Sequence, residues 1–126
     1  MIFSLSRRHR LSGSQNFTRV FRDGRRSADH FFTVLYVANN SGCSRLGFAI
    51  SRKRVGKATA RNRIRRLVRE SFRHNRQTLG NVDIVIMARE RAPVVSNVEL
   101  VESIEQHWSR LRAATADNDK CQITYE

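Results

Sequence analysis

Apolar residues along the chain recur first with a helical period, then with a strand period, and switch back twice. Phe17, Val20 and Phe21 fall at i, i+3 and i+4, so a first helix is expected behind Ser14 as N-cap and before Gly24. The run from His30 to Val37 is rich in aromatic and β-branched residues, and Asn39, Asn40, Ser41 and Gly42 supply a turn after it. A second strand over Arg45 to Ser51 then completes an expected hairpin, with Gly47 marking a bulge or a close approach of backbone. Arg52 to Lys57 reads as a loop containing Gly56. Ile64, Leu67, Val68, Ser71 and Phe72 share one face of the next helix, whereas Arg61, Arg65, Arg69 and Arg73 form a ridge away from it. Gly80 and Asn81 end that helix, Val82 to Ala88 reads as a buried strand, and Pro93 breaks the chain. Ser96 and Glu99 make a capping box for a last helix whose inner stripe is Leu100, Ile104, Trp108 and Leu111.

In order these elements give a helix, two or three strands, a helix, a strand and a helix, taken as αβββαβα, a mixed sheet with helices against it, hence an α+β fold of the α/β sandwich kind. The expected organisation is a basic arm over residues 1–12, one domain over 13–114 and a flexible polar tail over 115–126. At 126 residues the chain has the size of a single domain, and 40% hydrophobic residues are enough for a modest core.

Charge changes the picture from a generic domain to a polyanion binder. Lys and Arg number 24 against 11 acidic residues, a formal net charge of +13. Eleven cations stand between Arg52 and Arg76 against Glu70 alone, and after Gln77 acids predominate, so the charge is an oriented patch. A charge run is usually just a solvated face. Here nearly all of it is Arg, which pairs bidentately with phosphate and stacks on bases. An i, i+4 ridge of guanidinium groups is self-repelling unless phosphates neutralise it, and releasing their counterions drives binding.

The stretch LGFAISRKRVGKATARNRIRRLVRESFR, Leu46 to Arg73, resembles the Arg-Asn-Arg region of the bacterial ribonuclease P protein. Gln15, Asn16, Phe17, Val20, Phe21 and Gly24 upstream, and Asp83 to Arg89 downstream, are similar to the same family in the same order, so the resemblance spans roughly residues 10 to 112. Arg replaces Lys at several places where the family commonly has Lys, and Cys121 lies in the unmatched tail. The resemblance implies a protein subunit of an RNA-based enzyme. The RNA subunit, with its Mg²⁺, removes the 5′ leader of precursor tRNA, and the protein binds both RNAs. It implies a fold like that of ribosomal protein S5 domain 2, with a left-handed β-α-β crossover between Arg45 and Ala88, against the right-handed rule. The residues it implies for the RNA subunit are Arg52, Lys53, Val55, Gly56, Arg61, Asn62, Arg63, Arg65, Arg66 and Arg69. For the leader it implies Phe17 and Phe21 in a cleft between sheet and first helix; Phe32 and Tyr36 are added on strand alternation alone. The same Phe stripe equally fits a plain core helix.

Protein-borne chemistry is not expected. His9, His30, His74 and His107 are scattered and read as surface or cap residues, and no paired-carboxylate, H-E-x-x-H or G-x-S-x-G pattern occurs. Cys43 and Cys121 stand apart as two free thiols, so neither a metal site nor a protein-bound cofactor is expected. No apolar run reaches the length of a membrane span, and the expected location is the cytoplasm, with no protein partner. A ribosomal or translation-factor RNA-binding domain would share the charge but has no reason to carry the Arg-Asn-Arg segment. A protein-only nuclease lacks its acidic or His site here, and a helix-turn-helix regulator lacks its second helix.

Overall fold

The computed structural model describes residues 9–11, 13–39 and 42–125, with side chains as far as Ala114. Its order is α1 (Ser14–Asp23), β1 (Arg25–Ala28), β2 (Phe32–Ala38), β3 (Arg45–Phe48), α2 (Ala58–Leu79), β4 (Val82–Ala88), a 3-10 turn at Ala92–Val94 and α3 (Asn97–Tyr125). This is the expected αβββαβα order. α3 continues through the segment expected to be a tail. α1 is capped by Gly13 rather than Ser14, because the chain enters the helix at φ 89°, a conformation open to glycine. Gly80, at φ 81°, ends α2 in the same way. No helix among the described residues is long and apolar enough to cross a membrane.

The sheet order is β1-β2-β4-β3. The hairpin expected between β2 and β3 is therefore absent: β4 lies between them, antiparallel to β2 and parallel to β3. β4 is buried on both faces along nearly its whole length, which suits the centre of a sheet. β3 ends at Phe48 and carries Arg45 and Gly47, features that place it at the edge. The true hairpin joins β1 to β2. Only Ser27 of β1 faces inward, so its sequence carries no apolar alternation. The turn is fixed by the Asp29 carboxylate, whose Oδ1 accepts from the amides of Phe31 (2.9 Å) and Phe32 (2.8 Å).

α2 and α3 cover one sheet face. Ile64, Val68 and Phe72 of α2 meet Leu100, Ile104, Trp108 and Leu111 of α3 over Phe32, Val34, Leu46, Ile84 and Ile86. Trp108 Nε1 donates to Ser71 Oγ at 2.8 Å, so the largest core side chain keeps its polar atom satisfied. Ser96 caps α3 as expected, its hydroxyl accepting from the Glu99 amide at 3.3 Å. α1 covers part of the opposite face through Val20 and Phe17, which pack with Leu35, Val37, Val85 and Met87.

Two buried polar centres fasten these layers. The Asp83 carboxylate, with no exposed surface, accepts from Arg45 Nε (2.7 Å) and Nη2 (2.8 Å), from Asn39 Nδ2 (2.7 Å) and from Arg19. It ties β4 to β3, to the end of β2 and to α1, and its hydrogen bonds raise the Arg45 pKa above the ordinary value.

The second centre corrects the expectation of a surface histidine. His107 on α3 is fully buried, with Nδ1 2.7 Å from Ser27 Oγ and Nε2 3.2 Å from Asp29 Oδ2, where it makes no hydrogen bond. Ser103 Oγ donates to Asp29 Oδ2, and Arg110 Nη1 donates to Ser27 Oγ at 3.2 Å.

Burial lowers the His107 pKa below its ordinary 6.5, with Arg110 acting in the same direction and Asp29 opposing. The unfolded chain therefore binds this proton more readily than the folded one. Stability from His107 is complete above about pH 6.5 and declines as pH falls from there toward the folded pKa. Burial acts to raise the Asp29 pKa, but hydrogen bonds from Ser103, Phe32 and Phe31 and the nearby His107 outweigh it, so the Asp29 contribution is lost only below 3.8. The melting temperature should fall between pH 7.5 and 5.5, and His107→Gln should flatten that dependence; an unchanged slope in thermal melts would exclude His107 as its source.

Candidate nucleic-acid interface

Val55 is the hinge pin of the loop before α2. Its side chain is buried in the core, while Ser51 O accepts from the Val55 amide at 2.9 Å and Ser51 Oγ from the Lys53 amide at 3.0 Å. Arg52, Lys53, Arg54, Gly56 and Lys57 are thereby held outward. Val55 itself is a packing residue and leaves the candidate list, because no surface of it remains for RNA to touch.

The Arg-Asn-Arg triplet divides its work. Arg61 Nη1 donates to the carbonyls of Val55 (2.8 Å) and Gly56 (3.0 Å), closing the loop onto the first turn of α2. Arg63 points the other way, toward α3. Its Nε donates to Asn97 Oδ1 (2.6 Å), Nη2 to Val95 O (2.6 Å) and Nη1 to Pro93 O (3.3 Å). All three nitrogens are thus engaged by the chain itself, and Arg63 serves to dock α2 against the connection into α3. Asn62 and Arg66 are exposed, and Arg65 Nη1 donates to Asn62 Oδ1 at 3.2 Å.

Arg69, two turns after Asn62, reaches β3, where its guanidinium lies 5.6 Å from the centre of the Phe48 ring. Burial lowers its pKa first, then the like charges of Arg65 and Arg10. Arg10 is there because residues 10 and 11 pair with the outer edge of β3: Arg10 bridges Leu46, and the Leu11 amide donates to Leu46 O at 2.9 Å. Part of the expected arm is thus docked on the sheet.

Phe17, Gly47, Phe48, Arg10, Leu11, Leu46 and Arg69 line a groove of ≈ 440 Å³ between α1, β3 and α2, with two guanidinium groups and no carboxylate in its lining. Phe17 sits so close to Gly47 that a Cβ there would lie 2.7 Å from Phe17 Cζ, which bears out the expected close approach. Phe21, one turn on, is 48% exposed.

Beyond α1 the same sheet face is open. A depression of ≈ 150 Å³ has Thr33, Ala49, Ser51, Met87 and Ala88 as its floor and Arg26, Arg54 and Arg89 around it. Phe32 and Tyr36 do not reach this face. Both point into the core under α2 and α3, and Phe32 has no exposed surface. Strand alternation put them on one side correctly, but the residues facing the cleft are Thr33, Leu35 and Val37. Sequence reasoning also missed Phe48, Arg10, Arg26 and Arg89. Phe48 and Arg10 gain their roles from β3 lying at the edge beside β4, which the mistaken hairpin concealed, whereas Arg26 sits on β1 and Arg89 just past β4. Among the described residues no group of three or more His, Cys, Asp or Glu is placed to hold a metal ion.

The family model for ribonuclease P matches residues 5–112. The chain is 46% identical over 106 residues to the ribonuclease P protein component of Methylococcus capsulatus, covering 84% of this chain and 83% of that protein. It is 41% identical over 108 residues to the corresponding protein of Thioalkalivibrio sulfidiphilus, covering 86% and 90%. Among solved structures, the RNase P protein of Thermotoga maritima superposes with a TM-score of 0.72 at 33% identity, covering 80% of this chain and 96% of that one. That of Staphylococcus aureus gives 0.73 at 29% identity, covering 78% and 90%.

Arg63 in the triplet and Arg65 two residues beyond it have different partners, which predicts two different phenotypes. Arg63→Ala should lower the melting temperature by about 5 °C or more, since it strips the half-buried carbonyls of Pro93 and Val95, and the exposed Asn97 Oδ1, of a charged donor. Arg65→Ala should leave melting nearly unchanged and reduce the slope of log affinity against log salt for ribonuclease P RNA by about 0.7–0.9, one phosphate contact. Melting curves and salt titrations of the two variants decide; a flattened slope for Arg63→Ala with intact stability would reverse its assignment.

Proposed function

The chain belongs to the ribonuclease P protein family, the protein components of a tRNA-processing ribonuclease whose catalysis is carried by RNA, and on that premise we propose that it holds two RNAs on two separate surfaces. The outward cations of the α2 region form the surface for the RNA subunit: Arg52, Lys53, Lys57, Arg65 and Arg66, with the neutral Asn62 and Gly56 exposed among them. The open sheet face beside α1 takes the single-stranded 5′ leader of precursor tRNA. Bases stack on the half-buried Phe17 and exposed Phe21, while Arg26, Arg54 and Arg89 follow the backbone across Thr33, Ala49 and Met87.

The observation that carries this reading is the arginine-rimmed, carboxylate-free depression on the sheet face opposite the α2–α3 core. Arg54 lies 3.6 Å from the exposed Glu90 and Arg89 donates to Asp29 O at 3.0 Å, weak exposed partners that a phosphate can replace. A single-stranded polyanion offers phosphates to the three guanidinium groups and flat bases to the Ala49, Met87 and Ala88 part of the floor. The protein does not supply the attacking group. It brings cations between two RNAs that otherwise repel each other, and Mg²⁺ bound by the RNAs carries out the cleavage. Because the protein replaces diffuse counterions, its effect is largest where divalent ions are scarce.

Reconstitution with a bacterial ribonuclease P RNA tests the role. At low Mg²⁺ the chain should restore cleavage of precursor tRNA, and alone it should cleave nothing; activity without RNA, or no effect on the RNA at low Mg²⁺, would overturn the proposal. For the leader surface, Phe21→Ala, outside the groove at β3, should weaken binding of precursor tRNA to the reconstituted enzyme by about 5- to 100-fold while leaving mature tRNA nearly unaffected. Equal loss for both ligands would remove the leader from this cleft.

A further inference from the structure

The groove at the outer edge of β3 differs from the leader cleft in position and composition. It opens between α1 and α2 rather than along the sheet face, and its walls are aromatic and cationic together. Phe17 is locked against Gly47, which no other residue could replace without displacing the ring. Phe48 packs by one side against the α2–α3 core and by the other carries the Arg69 guanidinium. With both faces of Phe48 covered, the planar groups open to a ligand are the Phe17 ring and the Arg69 guanidinium, which these contacts hold in place and so present at a reduced ordering cost. The guanidinium groups of Arg10 and Arg65 act on Arg69 by repulsion, and no acid lines the groove to relieve them. A volume of ≈ 440 Å³ lies within the range of small-ligand sites, about 300–1,000 Å³.

We propose that this groove is a nucleotide pocket that receives one unpaired base of the RNA subunit, stacked on Phe17 and on the Arg69 guanidinium that Phe48 carries, with its phosphate near Arg10 and Arg65. The proposal rests on the two-surface reading above and adds to it a specific contact where the surfaces meet. The occupant is the RNA subunit rather than the leader because Arg65 and Arg69 stand on α2, one and two turns from the exposed Asn62, whereas the leader cleft lies on the other side of Phe17 and Ala49. The pocket would therefore add to assembly a term that does not depend on charge alone: stacking on rings is insensitive to salt, whereas the phosphate contacts around it are not.

The test uses the full chain and ribonuclease P RNA, first without substrate and then with precursor and mature tRNA. Phe48→Leu keeps an apolar side chain in the core but removes the flat ring, and Arg69→Lys keeps the charge but removes the planar group. Each should weaken RNA binding about tenfold with the salt slope unchanged, and chemical probing should show one unpaired base of the RNA protected by the wild-type chain and not by either variant. Thermal melting separates loss of fold from loss of the pocket for Phe48→Leu, and Arg69→Lys gives the independent reading if Phe48→Leu unfolds. Wild-type affinity in both folded variants would overturn the proposal. So would a loss confined to the preference for precursor over mature tRNA, which would assign the groove to the leader. Failure of the two-surface reading itself would appear elsewhere, as absence of stimulation by the wild-type chain at low Mg²⁺.

Discussion

The Asp83 carboxylate is the fastening on which the groove between α1, β3 and α2 depends. It is buried on the central strand and takes hydrogen bonds from Arg45 on β3, Arg19 on α1 and Asn39 at the end of β2. Removing one side of such a buried pair typically costs about 3–5 kcal/mol, because the opposing charges are left without compensation. Through Arg45 it holds the edge strand whose Gly47 and Phe48 line the groove, and through Arg19 it sets α1, whose Phe17 closes that groove on the other side. An acid is thus placed inside a strongly cationic protein at the one position where it can organise the cations rather than merely neutralise them.

The same division runs through the arginines. Those with several protein acceptors, Arg19, Arg45, Arg61 and Arg63, lock elements together, whereas Arg52 and Arg66 stand outward. Composition counts all of them equally. Only the geometry separates a guanidinium that braces a loop carbonyl from one that is open to phosphate, and both arginines of the triplet that identifies the family are of the first kind.

Much of the fold was legible because its signals are local. The stripe of Ile64, Val68 and Phe72, the cap at Ser96, the apolar run of β4 and the close approach at Gly47 all rest on short-range periodicity or on one residue's shape. The pairing of strands was not, because two runs separated by a plausible turn look like a hairpin whether or not a third strand later comes between them. The third strand of the expected order had no segment assigned to it, because β1, with one inward Ser, carries no apolar period. The error in pairing propagated to the site. With β3 taken as a hairpin partner of β2, Phe48 had no reason to face α2, and the inward direction of Phe32 and Tyr36 was undetermined. His107 was misplaced for a related reason, since its partners Ser27 and Asp29 lie some eighty residues away in the chain.

The parallel pairing of β3 with β4 also has a kinetic side. These strands are separated by the whole of α2, so their contact closes a long loop before it is rewarded, and contacts of this kind are costly to form early. The groove exists only after that closure, since one wall comes from β3, one from α2 and one from α1 at the start of the chain. A partly folded chain offers charge but no pocket. An RNA that reads the pocket therefore binds the finished protein alone, and its binding free energy adds wholly to the stability of that state. Assembly with RNA is in this sense a proofreading of folding.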